Sequence, residues 1–213
     1  MKIAYDRNQM TGRHIQSNEP NHKSLQKAGH ELVEMVLPYG DYIEYTDRID
    51  EIVQRRGSKL KKIDLTGSIP VAVDRKASIG EIAQNVSSTA YEHQRFHDEI
   101  VLAHNCGCKF YVLIEDDDIT DLVSLVKWRN PRTDTYFRLK AAEKKGRIFK
   151  RPLPKRPPVS GEQLSSALAT MAGRYGVTFV FCKHKDAAAM IVKLLEGSVK
   201  WAMKNDGRKN RLK

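Results

Sequence analysis

The stretch from residue 69 to residue 81 constrains the fold more than any other part of this chain. An apolar, β-branched run leads into three consecutive charges, Asp74, Arg75 and Lys76, and Ser78 then has the character of a helix N-cap. Because side chains two apart on a strand point to the same side, Asp74 and Lys76 are predicted to share one face, with Arg75 on the other. A carboxylate beside an ammonium suits metal-assisted chemistry on a phosphate, and it equally suits a surface ion pair.

Strand and helix signals alternate along the rest of the chain. The run at 109–115 is apolar almost throughout, as expected for a strand covered on both faces. The alternation predicts an α/β domain whose sheet is mostly parallel. Besides the opening strand, the predicted strands are 2–5, 31–37, 42–45, 109–115 and 177–182, and the predicted helices are 23–28, 47–56, one beginning near Ile79, 92–104, 119–127, 163–175 and 186–203.

Positive charge is in excess and clustered. The 37 Lys and Arg residues exceed the 26 Asp and Glu residues by 11, which favours a polyanionic partner, nucleic acid before membrane. The region 127–156 and the tail 204–213 hold much of the surplus. Solvated loops and a frayed tail are the plainer interpretation, but clustering of one sign is typical of phosphate binding. The residues predicted to contact nucleic acid are Arg55, Arg56, Lys59, Lys61, Lys62, Arg147, Lys150 and Arg151.

Several classes of function receive no support from the sequence. No apolar run is long enough to span a bilayer, and no signal-peptide pattern occurs, so no membrane partner is expected. A Walker loop and a dinucleotide Gly-x-Gly-x-x-Gly are absent, so no nucleotide cofactor is expected. The three cysteines form an odd set, which indicates a reducing, intracellular setting. His93 and His97 lie one helical turn apart but lack a second ligand pair at zinc spacing, and we interpret them as helix-surface or DNA-facing residues.

Two segments together carry a family resemblance, 37–42 (Leu-Pro-Tyr-Gly-Asp-Tyr) and 73–76 (Val-Asp-Arg-Lys). They resemble the XPF-type nuclease domain, a branch of the PD-(D/E)XK superfamily, and most closely its small phage and bacterial relatives without the helix-hairpin-helix tail. The resemblance implies an α/β, restriction-endonuclease-like core, with a central mixed or mostly parallel sheet flanked by helices. It also implies one domain over 1–203 with a basic insertion near 127–158, followed by a basic tail at 204–213.

The same resemblance implies which residues carry the chemistry. Asp41 and Asp74 correspond to metal ligands and, with Lys76, to the catalytic residues. Phosphodiester hydrolysis needs a metal that polarises the phosphate and lowers the pKa of water, and hard cations prefer carboxylate and carbonyl oxygens. Mg²⁺, or Mn²⁺ in its place, is therefore the expected cofactor. A plain turn role for Asp41 after Gly40 is the alternative.

Three arginines are predicted to support the site: Arg7, Arg75 and Arg95. Each either contacts phosphate or forms an ion pair that holds the site together. For Arg95 the simplest interpretation is a pair with Glu99, which lies four residues later on the same predicted helix.

Two acids have open roles. Glu81 lies one position beyond the place of the family's further acid, which is Gly80 here. It is predicted to support the metal site or, with Ser78, to form a capping box at the start of the helix. The family's N-terminal Asp-x-Arg-Glu appears here out of register at 5–8, so whether Asp6 reaches the site stays open.

These features predict a Mg²⁺- or Mn²⁺-dependent DNA endonuclease that hydrolyses phosphodiester bonds by direct attack of water. The resemblance implies branched or flapped DNA as the substrate, in DNA repair, recombination or phage DNA processing, and a cytoplasmic location (the host cytoplasm for a phage protein). The alternative is a non-catalytic DNA-binding protein or the inactive partner subunit of a nuclease dimer, and a homodimer is also compatible with the resemblance. Retention of Asp41, Asp74 and Lys76 favours activity, whereas the altered N-terminal motif and Gly80 favour the alternative.

Overall fold

Strands buried on both faces form the centre of the sheet in this computed structural model, which describes residues 1–7, 15–87, 90–150 and 152–197. The strands are β1 (Lys2–Asp6), β2 (Glu31–Met35), β3 (Tyr42–Glu44), β4 (Val71–Lys76), β5 (Lys109–Glu115) and β6 (Thr178–Cys182). All six residues of β4 are buried, as are the last six of β5. Such strands need helices on both faces of the sheet.

The six strands form one mixed sheet in the order β2-β1-β3-β4-β5-β6. The pairs β1–β2, β4–β5 and β5–β6 are parallel, whereas β3 runs antiparallel to both β1 and β4. The predicted α/β class with a mixed, mostly parallel sheet is confirmed. The single reversed strand β3 places the turn before it beside the charged end of β4.

Helices cover both faces of this sheet. They are α1 (Ile15–Lys27), α2 (Asp47–Arg56), α3 (Lys62–Leu65), α4 (Ile79–Ser87), α5 (Ala90–Asn105), α6 (Leu122–Leu125), α7 (Arg132–Lys144), α8 (Gly161–Tyr175) and α9 (187–197). One core packs α2, α3, α4, α5, α6 and α8 against the sheet, and the other packs α1 and α9 against the opposite face. On β4, Ala72 belongs to the first core, and Val71 and Val73 belong to the second. This alternation decides which charged side chain at the end of β4 meets which helices.

Helix α1 is longer than the sequence patterns predict. They indicate a helix only over 23–28, but α1 begins at Ile15 and contains Pro20. Its buried residues include Asn18 and His22, with Leu25 as an apolar contact. An apolar period of 3.6 residues is therefore missing, and packing against the sheet offsets the cost of the proline.

The basic insertion also differs from the prediction of a loop with one helix near 138–145. Helix α7 begins six residues earlier at Arg132, where the Asn130 side chain accepts the Arg132 N–H at 3.0 Å. No residue of α7 is buried, so hydrophobic periodicity gave no signal for its start. The predicted helix at 119–127 is shorter in the structure: an Asp121 N-cap begins α6 at Leu122, and the helix ends at Leu125.

The C-terminal part of the chain is described only to residue 197. The last six residues of the helix predicted over 186–203, together with the predicted basic tail at 204–213, lie outside the described residues. Among the helices that the structure describes, none combines the length and the apolar character needed to cross a membrane.

Candidate active site

A tight turn between β2 and β3 sets the position of the Asp41 carboxylate. Gly40 has a φ of +71°, and a Cβ at this residue would lie 3.0 Å from the Cβ of Ala72, so glycine is required here. The Asp41 N–H donates to the carbonyl oxygen of Val73 at 2.8 Å. Asp41 Oδ2 accepts the backbone N–H of Arg75 at 2.7 Å. The turn is thus bonded directly to β4, and Asp41 is held beside the strand's charged end.

Asp74 and Lys76 form a buried ion pair at that end of β4. Lys76 Nζ lies 2.9 Å from Asp74 Oδ1 and 2.8 Å from Oδ2, and both side chains are less than a tenth exposed. The two strands β3 and β4 pair Tyr42 with Val73. Asp41 directly precedes Tyr42 and bonds to the Val73 carbonyl oxygen, so it lies beside Asp74, whose charge raises its pKa. The two predicted metal ligands therefore meet across neighbouring strands, with the predicted catalytic lysine on the same face.

Three acids and one lysine share this buried space, and their ionisation is coupled. Burial, followed by the charge of Asp74, raises the pKa of Asp41 well above its usual range. The same two causes raise the pKa of Glu99 to about 7. Burial opposes the charge on Lys76, but the attraction of Asp74, Asp41 and Glu99 outweighs it and raises the pKa of Lys76. Lys76 is therefore an ammonium at neutral pH, in a cleft whose surplus negative charge favours a bound cation.

Glu99 on α5 is a site residue that sequence reasoning missed. Its Oε1 accepts the Gly40 N–H at 2.6 Å, so α5 holds the turn that carries Asp41. The family resemblance includes Glu99, with Arg95-Phe96, on this helix, but the sequence assigns it no site role beyond a pair with Arg95. One signal was available, since Glu99 lies on the apolar helical stripe that includes Phe96. A carboxylate on the buried side of a helix needs a polar partner inside the fold.

Arg75 points to the opposite face of the sheet, as strand alternation predicts. Its guanidinium makes a two-pronged contact with Glu115 at the end of β5, and it donates to Asn18 Oδ1 at 2.7 Å. Glu115 Oε2 also lies 2.9 Å from His184 Nδ1. Burial opposes the charge on Arg75, but the contact with Glu115 raises its pKa. Of the two predicted roles, these contacts match the ion pair.

A cleft of about 390 Å³ opens over the charged end of β4. Glu81 lies on its wall and also starts α4, because its N–H donates to Ser78 Oγ at 3.2 Å and its Oε2 accepts the Ala77 N–H at 2.9 Å. Asp6 lies on the wall too, so it reaches the cleft. The predicted site and nucleic-acid residues that line this cleft are Asp41, Lys62, Asp74, Arg75, Lys76, Glu81 and Arg95.

Other predicted residues lie elsewhere. Arg7 pairs with Glu34 at 3.0 Å and lines a separate cleft beside β2, so it does not line the cleft that holds Asp41. Arg56 pairs with Asp64 at 2.6 Å. The remaining predicted nucleic-acid residues that the structure describes are exposed, and Arg151 lies outside the described residues: the exposed set is Arg55, Lys59, Lys61, Arg147 and Lys150.

The carboxylates fit a hard divalent cation, although their number is small. Among the residues that the structure describes, no group of three or more His, Cys, Asp or Glu side chains is arranged to hold a metal ion. Asp74 Oδ2 is buried and accepts no well-directed hydrogen bond from the described residues, although Lys76 Nζ is near. Mg²⁺ typically takes one or two carboxylates and keeps several waters. Asp74 and Asp41 would supply such a pair of carboxylates for a bound cation.

The fold and the site together define the class of protein to which this chain belongs. The mixed sheet with helices on both faces, and the buried acid and lysine at the end of β4, agree with the α/β nuclease core that the family resemblance implies. Residues 11–195 match the family model of the ERCC4 domain, and the chain therefore belongs to the ERCC4 domain family of nuclease domains. The predicted XPF-type resemblance is confirmed.

Solved structures show the same fold at low sequence identity. XPF from Aeropyrum pernix matches with a TM-score of 0.52 and 14% identity, covering 98% of this chain and 69% of that one. XPF from Aeropyrum pernix in complex with DNA matches with a TM-score of 0.50 and 16% identity, covering 93% of this chain and 65% of that one. The chain thus spans about two thirds of the length of these two proteins. A search of the curated proteins finds no match.

Replacing Glu99 by Gln is expected to stabilise the fold at alkaline pH and to change little at acid pH. The folded-state pKa of Glu99 is raised from 4.5 to about 7. The folded state therefore holds the proton more tightly than the unfolded state, and wild-type stability falls as the pH rises through this window. Gln accepts the Gly40 N–H without ionising, so this loss disappears. Thermal unfolding of both proteins from about pH 5 to about pH 8 measures the difference.

Glu99→Ala is the matched control, because it removes the hydrogen bond as well as the charge. It leaves the Gly40 N–H without its acceptor, which costs about 1–3 kcal/mol relative to Gln. A Gln variant less stable than the wild type at alkaline pH would contradict the assignment of Glu99 as a buried, partly protonated acid.

Proposed function

We propose that this chain is a metal-dependent DNA endonuclease that hydrolyses phosphodiester bonds. The observation that carries the proposal is the convergence of Asp41, Asp74 and Lys76 in one cleft, with both carboxylates on the same side of the sheet. These are the residue types that hydrolysis of a phosphodiester needs: oxygen ligands for a hard cation and a fixed positive charge.

The residues of the chain take separate roles in this proposal. Asp41 and Asp74 hold Mg²⁺ or Mn²⁺, which when bound polarises the phosphate and lowers the pKa of water. Lys76 orients the attacking water or stabilises negative charge on the phosphate, and its buried ion pair fixes its position. Glu99 holds the Gly40–Asp41 turn. Arg95 and Lys62, on the cleft wall, lie where they can meet the flanking phosphates.

DNA as the substrate is supported by charge and by a relative. The chain carries a net charge of +11, and one similar solved structure is XPF from Aeropyrum pernix in complex with DNA. Binding driven by phosphate contacts weakens steeply with salt. We further propose selectivity for branched or flapped DNA, a single domain over 1–203 with a basic tail at 204–213, and a cytoplasmic location, in line with three free cysteines.

Removal of divalent metal is expected to stop cleavage completely. The pure protein is incubated with plasmid, single-stranded, linear duplex and flapped DNA, in excess chelator and then with Mg²⁺ or Mn²⁺ restored. We expect no product with chelator and product with either metal, fastest on flapped DNA. Cleavage that persists in excess chelator would contradict the metal-dependent mechanism. Cleavage of linear duplex at the same rate as flapped DNA would contradict the proposed selectivity for branched DNA.

The second candidate is a DNA-binding protein that does not cleave. It is favoured by Glu81, whose carboxylate is engaged at the start of α4, and by Gly80 at the place of the family's further acid. Salt-sensitive DNA binding without product under any divalent metal would select this candidate over the nuclease.

A further inference from the structure

A second cleft, of about 610 Å³, lies along α4 and borders the active-site cleft at Glu81. The two clefts share Glu81, which lies on the wall of both. We call this second cleft the α4 groove. One wall is α4, with polar side chains that include Gln84 and Ser87, and the other is formed by the start of α7 and the segment 154–159.

The second wall of the α4 groove is built by a buried side chain. Asn130 is 9% exposed. Its Nδ2 donates to the Val159 carbonyl oxygen at 3.1 Å, and its Oδ1 accepts the Arg132 N–H at 3.0 Å. Asn130 therefore ties the start of α7 to the segment that carries three of the groove's prolines, 154, 157 and 158. Prolines restrict that segment further. These bonds hold the two parts of this wall against each other.

The charge of the α4 groove fits a polyanion. Arg132 and Arg156 line it and are exposed. Within the described part of the chain neither guanidinium is in an ion pair, in contrast to Arg129, which pairs with Asp134 at 2.5 Å. The surrounding insertion is strongly basic. Unpaired guanidinium groups in a groove are the usual means of following a nucleic-acid backbone.

We propose that the α4 groove holds a single-stranded segment of the substrate DNA, continuous with the strand whose phosphate lies in the active-site cleft. The inference rests on the proposed nuclease function and assigns the single-stranded arm of its proposed branched or flapped substrate to this groove. A cleft of about 610 Å³ has the size of a small-ligand site, which suits a few nucleotides of one strand better than a whole duplex. The arginines contact phosphates of the extension, and the prolines offer apolar contact to sugars and bases.

The test uses the full chain and a duplex whose one strand carries an extension that increases from none to about twelve nucleotides. Affinity is measured by fluorescence anisotropy in chelator, where the proposed mechanism does not cleave. The wild type is expected to bind more tightly as the extension grows. The double variant Arg132→Ala/Arg156→Ala is expected to lose this gain and to retain its affinity for the blunt duplex. Its salt slope on the extended DNA is expected to fall by about 1.4, since two single-strand phosphate contacts are lost.

Arg138→Ala/Lys145→Ala is the matched control. It removes the same charge from the same insertion, but neither residue lines the groove. Equal effects of the two double variants, or a wild type indifferent to the extension, would overturn the proposal. Equal gain from an RNA extension of the same length would overturn its assignment to DNA. The melting temperature of each variant separates lost binding from lost folding.

Failure of this inference is distinguishable from failure of the proposed function. If the wild type cleaves DNA with Mg²⁺ but its affinity does not rise with the extension, the proposed nuclease function is supported and the proposed role of the α4 groove is contradicted. If the wild type binds extensions through Arg132 and Arg156 but never cleaves, the α4 groove is supported as a single-strand binding site and the proposed nuclease function is contradicted.

Discussion

Asp74→Asn is expected to reduce DNA cleavage by at least about a thousandfold while leaving the fold as stable as the wild type or more so. The loss is large because Asp74 serves both as a proposed metal ligand and as the partner that fixes Lys76. Removing a single preorganised electrostatic group from an active site costs about 10²–10³ in rate, and this substitution disturbs two such groups. Lys76 keeps Asp41 and Glu99 as neighbouring charges.

Although Asp74→Asn is expected to lose cleavage, its folded state is expected to be at least as stable as that of the wild type, because the site holds surplus negative charge. The charge of Asp74 helps to raise the pKa of both Asp41 and Glu99. A raised carboxyl pKa means that the ionised form is unfavourable in the folded state. Asn has nearly the same shape but no charge, so the ionised forms of the two remaining acids become less unfavourable. Sites arranged for function commonly carry this kind of local destabilisation.

Cation binding supplies a readout that is independent of cleavage. A ligand that binds only the folded state raises its stability by RT ln(1 + [L]/Kd), about 2.7 kcal/mol at a hundred times Kd. The melting temperature of the wild type is therefore expected to rise with Mg²⁺ or Mn²⁺, and that of Asp74→Asn to stay constant. Asp118→Asn, the same change at an exposed loop residue, is expected to behave as the wild type does. If the metal raised the melting temperature of all three proteins equally, the assignment of Asp74 as a metal ligand would be wrong.

The charged end of β4 was predictable because two simple rules act there together. A continuous apolar run indicated a buried strand, and strand alternation separated Asp74 and Lys76 from Arg75. The structure has both features. The position of Asp41 was predicted only through the family resemblance. Its approach to Asp74 depends on the antiparallel register of β3 on β4, which no local pattern in a three-residue strand specifies.

The parts that sequence reasoning missed lack a hydrophobic period. Helix α1 buries Asn18 and His22, and α7 buries nothing, so neither presents the apolar stripe by which helices are recognised. The site role of Glu99 could not be predicted for a related reason, because its partner is the backbone N–H of a turn that is distant in sequence. Polar contacts between distant segments leave no local signature. These contacts nevertheless hold the residues of the active-site cleft and of the α4 groove in position.

Glu115→Ala is expected to lower the free energy of unfolding by about 3–5 kcal/mol, because it leaves a buried guanidinium without its counter-charge. The Arg75 and Glu115 side chains are 6% and 2% exposed, respectively. For a chain of this length the loss corresponds to a fall of roughly 6–20 °C in melting temperature. Calorimetry measures it. The control is Glu31→Ala, which breaks the exposed pair with Lys2 and is expected to cost less than about 1 kcal/mol.

The double variant Arg75→Met/Glu115→Leu separates the two predicted roles of Arg75. Exchanging a buried ion pair for apolar residues of similar volume is often neutral or stabilising, so the double variant is expected to recover most of the stability that Glu115→Ala loses. The backbone N–H of Arg75 still donates to Asp41 in this variant, because that bond does not use the side chain. If Arg75 serves only to hold β4 against β5, cleavage by the double variant stays near the wild-type rate. A stable double variant that no longer cleaves would instead assign the guanidinium to the phosphate and contradict the ion-pair interpretation.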